Sequence, residues 1–167
     1  MRAIVVVVTL ASSLAAAAAA AQTPASGKTA SAWKCAAPSP THAVPVAGQA
    51  NHAYVVSSSQ CTALKGEIAG IAEKSGVATE FIEVKGDTGK GHGIFVETLA
   101  NGDTLTVSYD FTGTMKNQQF QSGSNKWTVM DGTGKLKGAK GQGTCTAKGG
   151  PDGSLNFDCT GTYTLAQ

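Results

Sequence analysis

Charge is scarce in this chain. Only 14% of its 167 residues are charged, and Arg2 is its sole arginine. Nucleic-acid binders gather positive charge on one face and use arginine for bidentate contacts, so this sequence is a poor member of that class. The same lack removes the usual forked clamp for phosphates and carboxylates. The four cysteines are too dispersed for a structural zinc site, which needs pairs two to four residues apart. The nearest two, Cys145 and Cys159, are fourteen positions apart. The three histidines, His42, His52 and His92, have no i,i+2 or i,i+4 relation and read as surface or loop residues. There is no Gly-x-Ser-x-Gly elbow for a nucleophilic serine. We therefore assign no catalytic residue, no metal and no cofactor from the sequence. An apolar share of 41% with 21 glycines excludes a long disordered chain and a coiled coil alike.

The one long apolar run is N-terminal. Met1-Arg2 is followed by Ala3 to Leu14, then by alanines up to Ala21, then by Gln22-Thr23-Pro24. A basic end, an apolar middle and small residues before a polar segment make a secretory signal, residues 1–21. Alanine is too weakly apolar to extend this run into a membrane span, and no cysteine precedes Cys35 to receive a lipid. The expected location is secreted or periplasmic. Removing 21 of 167 residues leaves 146, with 12 lysines and 11 acidic residues and hence a formal charge of +1. That length supports one core. Residues 22–50 read as a leader, because Pro24, Pro38, Pro40 and Pro45 each fix φ and remove a donor. Regular pairing is not expected before about His52. Residues 22–31 are expected to be mobile, with Trp33 and Cys35 pinning the remainder to a domain at 51–167.

From Ala53 onward the text is β. Leu105, Val107, Tyr109 and Phe111 alternate strictly with Thr104, Thr106, Ser108 and Asp110. Further strands are expected near 52–58, 77–85, 93–99, 118–129, 140–148 and 154–165. Short strands separated by Gly, Asn and Asp predict an antiparallel barrel or sandwich. A helix over Ala63–Lys74 is the competing local reading, weakened by Gly66 and Gly70. Asn101-Gly102 predicts a two-residue hairpin in which opposed residues sum to 203, placing Glu97 across from Thr106. In that register Glu97 and Asp110 are too far apart for an acid–base pair. Solvated strand faces then account for Glu80, Glu83, Glu97 and Asp110.

The last hairpin is better specified. Gly150-Pro151-Asp152-Gly153-Ser154 fits a three-residue loop with glycine at the left-handed position, so opposed residues sum to 304. Cys145 and Cys159 satisfy that sum and are expected to form a disulfide. Cys35 and Cys61 then pair by elimination and staple the leader to the domain.

The segment Asp131–Gly141 has two physical readings. Its glycines and lysines suggest a weak phosphate cradle, without the G-x4-G-K-[ST] arrangement, or else a tight connection between strands. Trp127-Thr128-Val129 followed by Gly-Thr-Gly-Lys-x-Lys-Gly-x-x-Gly at 132–141 resembles the barrel segment of the allene oxide cyclase and dirigent superfamily. It is even more similar to small exported bacterial proteins carrying that calycin-like barrel. The likeness is specific over 127–141, looser over 77–167, and does not reach the leader. It implies an antiparallel barrel of about eight strands with an apolar cavity, assembled as trimers in the plant relatives. Dirigent proteins use acids with arginine and tyrosine in the cavity. With no arginine beyond Arg2, no functional residue is carried over.

Phe95, Tyr109, Phe111 and Trp127 are the candidate lining of such a cavity, or the filling of a small solid barrel. A small apolar or phenolic ligand would suit them better than an anion. Three functions follow: an exported binding or structural barrel without catalysis, an isomerase or cyclase that shapes a substrate in the cavity, and a surface interaction protein using the leader.

Overall fold

The computed structural model describes residues 25–116 and 119–166. The signal expected at 1–21 lies outside them. The strands are β1 (Ser26–Cys35), β2 (Thr41–Pro45), β3 (His52–Lys65), β4 (Glu67–Ile68), β5 (Ile71–Lys85), β6 (Thr88–Leu99), β7 (Thr104–Lys116), β8 (Gln119–Gly132), β9 (Lys140–Gly149) and β10 (Leu155–Thr164). Strands β1, β3, β5, β6, β7, β8, β9 and β10 pair in that order, and β10 pairs back with β1. Eight antiparallel strands thus close into a barrel, which leaves no long unpaired edge. β2 extends the β1 edge along β3, and β4 forms a short hairpin with β5. No helix among the described residues is long and apolar enough to cross a membrane.

Two local expectations are corrected. Residues 26–35 are not an unpaired leader. They form β1, which pairs with β10 from Ser26↔Thr164 to Cys35↔Leu155 and completes the barrel. The prolines explain the boundaries rather than an absence of structure. Pro38 and Pro40 fall between β1 and β2, and Pro45 is the last residue of β2, where a missing donor is tolerated. Residues 63–74 are strand and hairpin rather than helix, because Gly66 and Gly70 both take positive φ (138° and 73°).

Both disulfides join directly opposed residues. Cys145 faces Cys159 across β9 and β10, and Cys35 faces Cys61 across β1 and β3. The last hairpin has the expected register, with Gly150 N–H donating to the Ser154 carbonyl at 2.7 Å. The Asn101-Gly102 hairpin does not. Leu99 N–H donates to Asp103 O (2.9 Å), so the loop is three residues, Ala100 to Gly102, with Gly102 at φ 88°. Opposed residues sum to 202, and Glu97 faces Leu105. A slip of one residue turns a side chain to the other face of a sheet. Glu97 therefore points inward.

One end of the barrel is plugged. Leu99, Leu105, Val129, Ile68, Ile71 and Leu136 form the main buried cluster, with Leu99 and Leu136 fully buried. Leu136 belongs to a single 3-10 turn, Gly134–Leu136, inside the glycine-lysine segment. Asp103 accepts the Lys135 N–H, and the Thr133 hydroxyl accepts the Thr104 N–H, tying that turn to the hairpin below it. The segment is thus a connection that closes the barrel end, as the second of its two sequence readings expects.

Candidate functional site

Alternation sends Leu105, Val107, Tyr109 and Phe111 of β7 inward, and the pairing places each in a ring of residues around the lumen. One ring runs Gly161, Gly143, Trp127, Tyr109, Gly93, Glu80 and Ser57 across seven adjacent strands. Its glycines have a steric purpose. A Cβ at Gly93 would lie 2.5 Å from the Tyr109 phenol oxygen, and one at Gly161 would lie 2.5 Å from Cη2 of Trp127. Without those methyl groups each ring lies against the neighbouring strand rather than along the barrel axis. Tyr109 crosses β6 over Gly93 and donates its hydroxyl to Glu80 Oε2 at 3.1 Å. The Ser57 hydroxyl donates to Glu80 Oε1 at 3.3 Å. Burial raises the Glu80 carboxyl above its ordinary value, and these two donors oppose that shift. Burial, and then the Glu80 charge, hold the Tyr109 phenol well above its usual range.

Below that ring, toward the plug, lies an inner cavity of about 100 Å³. Trp33, Phe95, Val107, Trp127 and Phe157 contribute apolar walls, and Trp33 meets Phe95 edge-on at 5.0 Å. Glu73, Glu97 and Asn125 also line it. Glu73 arrives there through a β-bulge: Glu73↔Leu99 is followed by Ser75↔Thr98, so one extra residue on β5 re-aims the strand. Glu97 is only 6% exposed, and its Oε1 has no hydrogen-bond partner; Glu73 Oε2 and Asn125 Oδ1 are likewise buried without one. Burial pushes Glu97 up to about 8, helped by the nearby charge of Glu73. Burial pushes Glu73 up to about 7, against the Ser31 hydroxyl beside it. Above the Tyr109 ring the barrel widens into an open mouth of about 1030 Å³, walled by Val55, Ile82, Phe111, Met115 and Phe120 among others. Tyr109, Asn125 and Phe157 line both spaces.

Of the sequence candidates, Phe95, Tyr109 and Trp127 stand around the inner cavity and Phe111 stands in the mouth. The solvated reading of the acids holds for Asp110, which is exposed, and for Glu83, half-buried on the outer face beside His52 at 2.7 Å. It fails for Glu80 and Glu97. Strict alternation along 77–85 would have placed Glu80 inward with Ile82 and Val84, but hydropathy alone argues against burying a carboxyl. Glu73, missed entirely, needs the bulge to face inward, and nothing in the local sequence announces it. On the outer face His92 packs on Phe81 and Phe81 stacks on Tyr54 at 5.6 Å. Among the described residues no group of three or more His, Cys, Asp or Glu is placed to hold a metal ion.

Neither a protein-family model nor a curated protein matches the sequence. Among the solved structures that match the chain are two proteins. One is a pterocarpan synthase dirigent protein, with TM-score 0.50 and 12% identity over 96% of this chain and 100% of that one. The other is a conserved protein of unknown function from Rhodopseudomonas palustris, with TM-score 0.47 and 9% identity over 84% of this chain and 99% of its own. The chain has a dirigent-like eight-stranded barrel fold, as the glycine-lysine segment at 132–141 leads one to expect.

Proposed function

We propose that this protein is an exported barrel that binds a small apolar molecule and performs no chemistry on it. The observation that carries the reading is a pair of apolar spaces inside the barrel that share Tyr109, Asn125 and Phe157 as a common wall. An open mouth walled by Phe111, Ile82 and Phe120 lies on one side of Tyr109, and a cavity walled by Trp33, Phe95 and Trp127 lies on the other. Concave apolar space with a few converging polar groups is where small ligands bind. Export is supported by the order of residues 1–21 and by two disulfides, which persist in oxidising compartments.

Both tryptophans of the chain, Trp33 and Trp127, line the inner cavity, so intrinsic fluorescence reports on its contents. Titration with the neutral dye N-phenyl-1-naphthylamine is expected to quench tryptophan emission saturably, with one dye per chain and micromolar affinity. Phe111→Ala should weaken binding about tenfold, the loss expected when a large apolar contact of ~1–2 kcal/mol is removed. Dye emission that rises linearly without saturating would remove the support for a hollow barrel.

A second reading, an isomerase or cyclase that shapes its substrate, is favoured by one feature. The Tyr109–Glu80–Ser57 chain puts a proton-bearing cluster on the lumen wall. Incubation with a ligand recovered from the native protein distinguishes the two, since a binder returns it unchanged. If Glu80→Gln abolishes turnover while the dye still binds, the enzymatic reading replaces the first.

A further inference from the structure

We propose that the inner cavity takes a small organic ammonium ion, whose N–H groups donate to Glu97 and Glu73 while aromatic walls enclose its alkyl part. This rests on the reading of the barrel as a small-molecule binder, and for its inner half it replaces a wholly apolar ligand with one that carries a cationic head.

The polar atoms left without partners decide the ligand's chemistry. Glu97 Oε1 is unpartnered in a side chain only 6% exposed, and Glu73 Oε2 and Asn125 Oδ1 are unpartnered beside the same cavity. Asn125 Oδ1 is an acceptor as placed, and the two carboxyl oxygens become full acceptors once their groups are ionised. A buried acceptor without a donor is costly, and more so when it is ionised. A neutral apolar guest would leave all three unsatisfied, and a single hydroxyl would satisfy one. A primary ammonium carries three donors and the compensating charge.

The walls agree with that assignment. Trp33, Phe95 and Trp127 present π systems, which attract a cation within about 6 Å of a ring centroid. The ionisable side chains lining the cavity are Glu73, Glu97 and Tyr109, with Glu80 held behind Tyr109; no lysine or histidine is among its walls to compete for the carboxylates. A metal ion fits less well. Two carboxylates and an amide among aromatic walls supply too few ligands, and no group of three metal-binding side chains exists among the described residues. The volume, about 100 Å³, is somewhat below the ~150 Å³ of an engineered apolar cavity that admits benzene. That suits a short alkylammonium rather than a polycyclic amine.

The test compares n-butylammonium with its neutral counterpart n-butanol on the oxidised protein. Indole N–H signals of Trp33 and Trp127 are followed by NMR at about pH 9, where the carboxyls are ionised and the alkylammonium, with a lysine-like pKa of about 10.4, keeps its proton. Butylammonium is expected to bind at least tenfold tighter than butanol. Glu97→Gln should abolish the preference while leaving butanol and dye binding in place. Glu67→Gln, on an exposed side chain of β4, should keep the preference. Equal affinities, or a preference that survives in Glu97→Gln, would overturn the ammonium assignment while leaving dye binding, and so the hollow barrel, intact. Failure of dye, alcohol and amine together would overturn both readings.

Discussion

Gly161→Val is expected to destabilise the barrel by about 3 kcal/mol, at the upper end of what overpacking costs. The added Cβ would sit 2.5 Å from Cη2 of Trp127 and 2.6 Å from the Gln142 carbonyl oxygen. Neither yields easily. The carbonyl belongs to the β9 ladder, and the indole already lies flat over two glycines, Gly143 and Gly161, on successive strands. Thr160→Val, one residue away on the exposed face, is the control and should change stability by less than about 0.5 kcal/mol. Urea unfolding of both variants, and of Gly161→Val combined with Trp127→Ala, measures the effect. If the valine's cost arises from the indole, the double variant will be more stable than the sum of the singles predicts by at least about 1 kcal/mol. Strict additivity would show that the glycine serves something other than the ring.

The second large effect concerns pH. Glu97 releases its proton near 4.5 when unfolded and near 8 when folded. Between those values the unfolded chain binds fewer protons than the native one, so native stability contributed by this group falls as pH rises and levels off above about 8. Glu97→Gln stays neutral at every pH. At about pH 4 the variant and wild type should therefore differ little. At about pH 9 the variant should be more stable, on the order of 2–5 kcal/mol at ~1.4 kcal/mol per pKa unit. Denaturant melts of both proteins across that range check the sign as well as the size. A difference that does not change with pH would mean that folding leaves the Glu97 pKa unshifted, its buried charge being compensated by a partner.

How far the sequence revealed this molecule depended on the turns. The loop 150–154 carries proline first and glycine at the left-handed position, and those residues alone determine the register that joins Cys145 to Cys159. Asn101-Gly102 looked equally informative, yet Asn-Gly occurs in two-residue and three-residue loops alike. The choice between them decides whether Glu97 is solvated or buried, and propensity does not make that choice. β1 was hidden for a different reason. Its inward residues, Gly27, Thr29, Ser31, Trp33 and Cys35, are mostly small or polar. Gly27 must be small because the Tyr163 phenol lies over it. A strand whose core face is built from gaps for its neighbours' rings shows little hydropathic alternation. The aromatics were legible because they fill space, and the glycines that make room for them read only as turns.

Closure of the barrel through β1 and β10 also sets the order of events in biogenesis. Every other strand of the ring pairs with a neighbour close in sequence, so those hairpins can form as the chain emerges. The β1–β10 seam joins the two ends of the described chain. A ribosome releasing the N-terminus first must therefore deliver every strand through β10 before the ring can shut. Until then β1 and β9 remain open templates for other strands. The Cys145–Cys159 bridge forms within the last hairpin and can lock β10 to β9 ahead of that seam. Loss of that bridge would lengthen the interval in which an incomplete ring meets its own copies.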